Sequence, residues 1–172
     1  EKLVKANAEN DMDADKELAK KLPYREMSKN GWVPETRDTT EKVIYLRKYF
    51  EVVNLEIIED MQLSKIACRR LAETEKSNLA LLAWAQKAKL EARTIKTSLV
   101  DLKSLKKSLP EIRSMTTMNP SDFCPKLIEL LSNCGIALVF LPHIGGSFLH
   151  GATFYDGNKI VVGLTVRGKD AD

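Results

Sequence analysis

The chain has 172 residues, of which 27 are basic and 24 acidic, so its net charge of +3 is too even to indicate nucleic-acid binding by itself. Hydrophobic residues make up 44% and charged residues 30%, which is typical of a globular chain and argues against intrinsic disorder. The three cysteines include no CxxC pair, and no stretch approaches the roughly 20 apolar residues of a membrane span. With no signal peptide at its start, we expect a cytoplasmic protein that does not bind membranes.

The first part of the chain is predicted to be helical. Residues 1–21 are polar and helix-prone, and we interpret them as a linker helix because their few apolar positions could not bury a core alone. Residues 22–118 form a helical segment, in which “DTTEKVIYLRKYFEV” predicts a clear helix because Asp38 and Glu41 fit a capping-box pattern. Residues 54–72 are predicted to form short helices.

The longest predicted helix is “SNLALLAWAQKAKLEARTIKTSL”. Its apolar and small residues share one face at helical spacing, and the alanines would let another helix approach closely. That face comprises Leu81, Trp84, Ala85, Ala88, Ala92, Ile95 and Leu99. Lys89, Arg93 and Lys96 line a different face, for which exposure to solvent is favoured over contact with phosphate.

The sequence pattern changes at Asn119. “NPSDFCPKLIELLSNCG” predicts a helix that begins at Pro120 or later and is ended by Gly135, and “GIALVFLPH” predicts a strand covered on both faces. “HGATFYDGNKIVVGLTV” predicts a β-hairpin around its “DGN” turn. The predicted fold class is therefore α+β, with a mostly helical N-terminal segment followed by one helix and a three-stranded sheet.

Residues that could carry catalysis are few. His143 and His150 are the only histidines, and they lie at either end of a glycine-containing loop. A zinc site needs three or four ligands in tetrahedral reach, so we assign no metal ligands in this chain. A pair of Cys124 with a histidine is an equally weak indication of thiol catalysis, and no GxGxxG, P-loop or GxSxG motif occurs.

Three segments, “LPYREMSKNGWV”, “LALLAWAQKAKLEA” and “LPEIRSMTTMNPSDFCPKLIELLSNCGIALVFLPHIGGSFLHGATFYDGNKIVVGLTVRGKDAD”, follow one another in this order. In that order they resemble the ImmA/IrrE-type metallopeptidase domain in its long form, which follows a helix-turn-helix domain of the Xre class. The resemblance covers roughly residues 22–172 and is strongest over 109–172. It implies a zincin-like fold, with residues 119–172 as the incomplete N-terminal part of the peptidase domain and residues 1–21 as the connector from a missing helix-turn-helix domain.

The resemblance also implies the chemistry of the complete protein. The next segment should be a helix bearing HExxH, whose histidines would hold Zn²⁺ and whose glutamate would act as general base. The present sequence contains no His-Glu pair, so no catalytic residue is placed on it. We therefore expect a chain truncated before that helix and inactive by itself, with no cofactor of its own and zinc only in the complete protein.

A substrate site follows from the same resemblance. In zincin-like folds an edge strand pairs with an extended peptide substrate through main-chain hydrogen bonds. Residues 151–155 are the candidate edge strand, and residues 159–166 the strand that leads to the active-site helix. We therefore expect Gly151, Ala152, Thr153 and Phe154 to line the substrate cleft.

Three functions compete. The first is a fragment of a helix-turn-helix regulator whose zinc endopeptidase domain would cleave or control a repressor protein, with DNA contacted only through the missing N-terminal domain. The second is a non-enzymatic, antitoxin-like transcriptional regulator in which this region serves sensing or homodimerisation, for example through the alanine-rich face of residues 81–99. The third is a helical nucleic-acid binder that uses Lys89, Arg93 and Lys96.

Overall fold

A computed structural model of the chain describes residues 2–59, 65–70, 74–115 and 117–166. Their order along the chain confirms the α+β class, with helices before and after one short strand and then a helix followed by three strands. The helices are α1 (Lys2–Lys21), α2 (Tyr24–Lys29), α3 (Thr39–Phe50), α4 (Glu56–Glu59), α5 (Glu75–Thr94), α6 (Leu102–Met115) and α7 (Pro120–Asn133). The strands are β1 (Ala67–Arg70), β2 (Ile136–Pro142), β3 (Leu149–Asp156) and β4 (Lys159–Val166).

The sheet has four strands in the order β1-β3-β4-β2 rather than the three predicted. β3 is antiparallel to both β1 and β4, whereas β2 runs parallel to β4. The prediction of short helices over 54–72 is confirmed at α4 and wrong at β1, and residues 60–64 and 71–72 lie outside the described residues. β1 has only four residues, and its extended form is stabilised by pairing with β3, a contact that local propensity does not encode.

Caps explain where the long helices begin. The Asp38 carboxylate accepts a hydrogen bond from the Glu41 N–H at 2.8 Å, while the Glu41 carboxylate accepts from the Thr36 hydroxyl instead of closing a capping box. α5 has the full capping box, formed by Thr74 and Ser77. α7 begins at Pro120, which settles the start that the sequence left open, and Pro125 lies inside its first turns.

α5 is the central helix of the main core, which lies on one side of the sheet. The predicted apolar face is confirmed from Leu81 to Ala92 but not at Leu99, which is 84% exposed because the helix ends at Thr94. The sheet, and not another helix, takes up the space that the small residues leave. A Cβ added to Gly163 would lie only 2.3 Å from Cη2 of Trp84, so strand and helix are in direct contact there.

A second, smaller core lies on the opposite face of the sheet. Leu127 and Leu131 of α7 pack against alternate residues of the parallel strand pair, Ile136, Leu138 and Ile160. Leu105 and Ile112 of α6 add partly buried contacts to this cluster. The sheet is therefore a middle layer, with α5 on one side and α6 and α7 on the other.

The N-terminal helices extend the main core away from the sheet. Leu18 and Ala19 of α1 belong to this core, and the fully buried Asp15 carboxylate accepts hydrogen bonds from Arg47 Nε at 2.5 Å and the Leu55 N–H at 2.7 Å. α1 is thus fastened to α3 and to the segment before α4. No helix among the described residues is long and apolar enough to span a membrane.

Candidate functional site

The four residues expected to line a substrate cleft, Gly151, Ala152, Thr153 and Phe154, lie in the middle of β3. Gly151 is opposite Arg69 of β1 and Leu164 of β4, and Thr153 is opposite Ala67 and Val162. The prediction that residues 151–155 form an edge strand is therefore wrong. β1 takes the position at which an extended peptide was expected to pair.

The side chains of these four residues point to opposite faces of the sheet. Ala152 and Phe154 are buried on the side of α5, within the main core. Thr153 is exposed on the other side, where Gly151 is partly exposed. A Cβ at Gly151 would lie 2.8 Å from the Gly163 carbonyl oxygen, so a glycine is needed for the close approach of β3 and β4.

The same face of the sheet remains partly uncovered beyond the reach of α6 and α7. Along β4 the exposure of the residues on this face increases from the half-buried Val162 to Leu164 at 37% and Val166 at 50%. The half-buried Phe140 is opposite Leu164 on the neighbouring β2. We call this surface, formed by Phe140, Val162, Leu164 and Val166, the open sheet face. Contiguous exposed apolar surface of this kind is typical of a place where another element packs.

The histidines lie at the surface: His143 directly follows β2, and His150 is the second residue of β3. Both side chains are exposed, and the His143 carbonyl accepts a hydrogen bond of 3.4 Å from Asn30 Nδ2. Within the part of the chain that the structure describes, no three His, Cys, Asp or Glu side chains come together as a metal site. These residues do not fit a zinc centre, and we derive no metal-dependent step from them. Cys134 is buried and Cys124 half-buried.

The predicted basic line on α5 is largely neutralised by acidic neighbours. Arg93 Nη1 lies 2.7 Å from the Glu51 carboxylate, and its Nε lies 3.6 Å from Asp156. Lys89 Nζ is also 3.6 Å from the Asp156 carboxylate. The hydrogen bond from Arg93 lowers the pKa of Glu51, because it stabilises the charged carboxylate. Two of the three cations of this line therefore face carboxylates rather than an open phosphate site.

The alanine-rich face of α5 is not available to a second copy of the chain. Leu81 and Ala92 are 1% exposed and Ala88 is fully buried, because the face lies in the main core beneath the sheet. The surface that the sequence suggested for homodimerisation is thus an internal contact.

Sequence reasoning missed β1, although a signal for it exists. In “IACR” the half-buried Ile66 and Cys68 alternate with the exposed Ala67 and Arg69, which is the period of two expected of a strand. Four residues are too few for this alternation to stand out against a helix of similar length. Recognising the strand would have predicted that β3 is interior.

Comparison of the chain with protein-family models, with curated proteins and with solved structures gives no match.

Proposed function

We propose that residues 119–166 belong to the scaffold of an ImmA/IrrE-like zinc endopeptidase domain, in a helix-turn-helix regulator that cleaves or controls a repressor protein. The proposal rests on the sequence resemblance and on the order of elements, α7, β2 and the β3–β4 hairpin, that accompanies it. By that resemblance, DNA is bound by a separate helix-turn-helix domain. This chain contributes the sheet and its supporting helices.

The open sheet face is the observation that carries the proposal. Leu164 and Val166 are exposed at the end of β4 that would lead into the zinc-binding helix of such a domain. A helix packed there would cover the apolar surface and sit beside α7, in the layered arrangement that α+β domains use. The two histidines and the glutamate of HExxH would come from that helix, and they would supply metal-activated hydrolysis when zinc is bound.

The substrate role of residues 151–154 takes a different form in this proposal. Because β3 is interior, a peptide cannot pair with its main chain. Gly151 and Thr153, which face the same side as the open sheet face, would form part of the cleft floor. Ala152 and Phe154 would not touch the substrate. They lie on the opposite side of the sheet, where they pack in the main core with α5 and hold β3 in place.

A cleavage assay tests the proposal. The complete reading frame that encodes this chain should contain HExxH after β4, and its product should cleave the repressor controlled by the same regulatory unit. The matched variant replaces the motif glutamate by glutamine and should lose cleavage while keeping its fold and its metal. The 172-residue chain alone should be inactive. A reading frame without the motif, or a glutamine variant with full activity, would contradict the peptidase.

The alternative is a non-enzymatic antitoxin-like regulator that dimerises or senses through this region. In that case a second copy of the chain would cover the open sheet face. Size-exclusion chromatography with light scattering distinguishes the two. Leu164→Asp should dissociate a dimer built on the open sheet face, whereas Leu109→Asp, at a leucine of α6 that is 44% exposed, should not. A monomer at all concentrations removes dimerisation through this face.

A further inference from the structure

A cavity of about 530 Å³ lies apart from the open sheet face, none of whose residues line it. Its walls come from the end of α1, the first turns of α2, α3 and α5, and the loop between β2 and β3. Ala19, Leu22 and Tyr24 form its buried floor. This volume is within the range of pockets that hold small molecules.

The cavity is strongly basic. Lys20, Arg25, Lys42 and Lys76 line it, against the single carboxylate of Glu26. The lining side chains therefore carry an excess of three positive charges at one concave site. We call this site the basic cavity. Concave sites with one sign of charge attract ions of the opposite sign from solution.

Three of these cations have no acidic partner among the described residues: Arg25, Lys42 and Lys76 form no ion pair there. Lys20 pairs with Glu17 at 2.5 Å. Lys42 Nζ lies 5.6 Å from the centre of the Tyr24 ring, a cation–π contact that holds the ammonium at the wall of the cavity. Because they lack a carboxylate partner in the part of the chain that the structure describes, Arg25, Lys42 and Lys76 differ from Lys89 and Arg93, which both face carboxylates.

The glycine loop adds hydrogen-bond donors. Gly145 and Gly146 line the basic cavity, and their N–H groups make no hydrogen bond to any described residue. Gly146 has a φ of 83°, and a Cβ on it would lie 3.4 Å from Cε of Lys76. Glycine therefore suits the left-handed backbone at this position, where the main chain is in ordinary contact with the lysine side chain. Free main-chain N–H groups beside cations are a common arrangement for binding phosphate oxygens.

Glu26 is the one group that opposes an anion. A Cβ on Gly145 would lie 3.4 Å from the Glu26 carboxylate, which therefore stands at the rim beside the loop. Its charge is compensated by Lys29 Nζ at 3.0 Å. Arg25 and Lys42 also line a neighbouring cavity of about 430 Å³, together with Lys29 and Glu35, so the two cavities share two cations.

We propose that the basic cavity binds a small molecule that carries two or more phosphate groups. Arginine, lysine and main-chain N–H groups are the donors that phosphate oxygens prefer, and the concave shape suits a small anion. The ligand would connect α1, α2 and α5 to the β2–β3 loop, and so it would stabilise the folded chain. This site is independent of the proposed peptidase, and its test does not require zinc or cleavage.

Isothermal titration with inorganic pyrophosphate at low salt tests the proposal on the 172-residue chain. We expect saturable binding of one pyrophosphate and a rise in the melting temperature. The double variant Lys42→Gln/Lys76→Gln should weaken binding by about tenfold or more, since each loses a charge-assisted hydrogen bond. The matched control Lys103→Gln/Lys106→Gln removes two exposed charges from α6 and should change affinity by less than about twofold.

Other results overturn the proposal. Equal losses of affinity in the two double variants would show that pyrophosphate binding depends only on the net charge of the chain. Absence of saturable binding by the unmodified chain would remove the site. Binding of a poly-glutamate peptide that depends on Lys42 and Lys76, without binding of pyrophosphate, would replace the small molecule by an acidic protein partner. If circular dichroism shows that the lysine pair alters the fold, Arg25→Gln, at an exposed position, is titrated in its place and should also weaken binding.

Discussion

Among single residues, Gly163 and Trp84 fix how closely the sheet packs on α5. Trp84 is fully buried, and its ring atoms Cη2 and Cζ3 lie 2.3 and 2.8 Å from the position of a Cβ on Gly163. Gly163→Ala should therefore lower the free energy of unfolding by about 2–3 kcal/mol, because β4 or the ring must move. Urea denaturation monitored by circular dichroism measures the loss.

The double variant Gly163→Ala/Trp84→Phe identifies the cause. Phenylalanine lacks the outer ring atoms that the new methyl group would meet, and it removes the buried Trp84 Nε1, which has no hydrogen-bond partner among the described residues. The losses in the free energy of unfolding of the single variants Gly163→Ala and Trp84→Phe should sum to more than the loss in the double variant. Strict additivity would show that the steric contact is not the reason.

Asp15 has a comparable role at the junction of α1 and α3. It is fully buried and accepts from Arg47 and from the Leu55 N–H, so Asp15→Ala leaves a partly buried cation and a buried N–H without their acceptor. We expect a loss of about 3 kcal/mol in the free energy of unfolding, measured by urea denaturation. Asp13→Ala is the control on the same helix. Asp13 is 77% exposed, so its loss should stay below about 0.5 kcal/mol, and equal losses would contradict the account.

Among the secondary-structure elements, the segment before α6 crosses the end of α7 at Gly135. Ser98 and Asp101 donate main-chain hydrogen bonds to the Ser132 and Cys134 carbonyls, which lie at the end of α7. Gly135 has a φ of 82°, and a Cβ there would lie 2.5 Å from the backbone of Val100. The crossing therefore requires glycine at position 135 for two reasons: the backbone is left-handed there, and a side chain would overlap Val100.

Gly135→Ala should lower the melting temperature much more than Gly157→Ala. Gly157, in the β3–β4 turn, has a φ of 59° but no atom within 4 Å of an added Cβ, so only the backbone strain of about 1–2 kcal/mol applies. At Gly135 the steric overlap adds about 1–3 kcal/mol. Thermal unfolding of both variants gives the comparison, and equal shifts would show that the crossing can relax.

The elements differ in how far their sequence determines them. α3, α5 and α7 have long apolar periods and clear caps, and the sequence alone predicts them, as it does the β3–β4 hairpin with its “DG” turn. β1 was missed because its four residues are stabilised by partners about 80 residues away. The end of α5 was placed too late because Leu99 continues the apolar period although the helix has already ended.

The candidate sites were harder to predict than the elements, because they too depend on contacts between segments that are distant in the chain. Whether β3 is an edge or an interior strand depends on β1, so the sequence correctly predicts a strand over residues 151–154 but not its surroundings. The basic cavity joins Lys20, Arg25, Lys42 and Lys76 from four separate segments. No local spacing relates them, and only the packing of α1, α2, α3 and α5 brings them together.

For the whole molecule, the sheet separates a large core from a small one and leaves part of the smaller side open. The main core joins α1, α3, α5 and one face of the sheet, whereas the second core covers only the first half of the β2–β4 pair. The apolar residues at the far end, Leu164 and Val166, are then exposed at 37% and 50%. In the proposed peptidase this surface is covered by the zinc-binding helix, which links the shape of the scaffold to its function.

Zinc stoichiometry of the complete reading-frame product, measured by plasma mass spectrometry after gel filtration, tests that claim most directly. The account predicts one zinc per complete chain, lost when the first histidine of HExxH is replaced by alanine, and no stoichiometric zinc in the 172-residue chain. A complete protein without zinc would contradict the proposed peptidase scaffold. One zinc bound by the 172-residue chain would instead place the metal on residues such as His143 and His150.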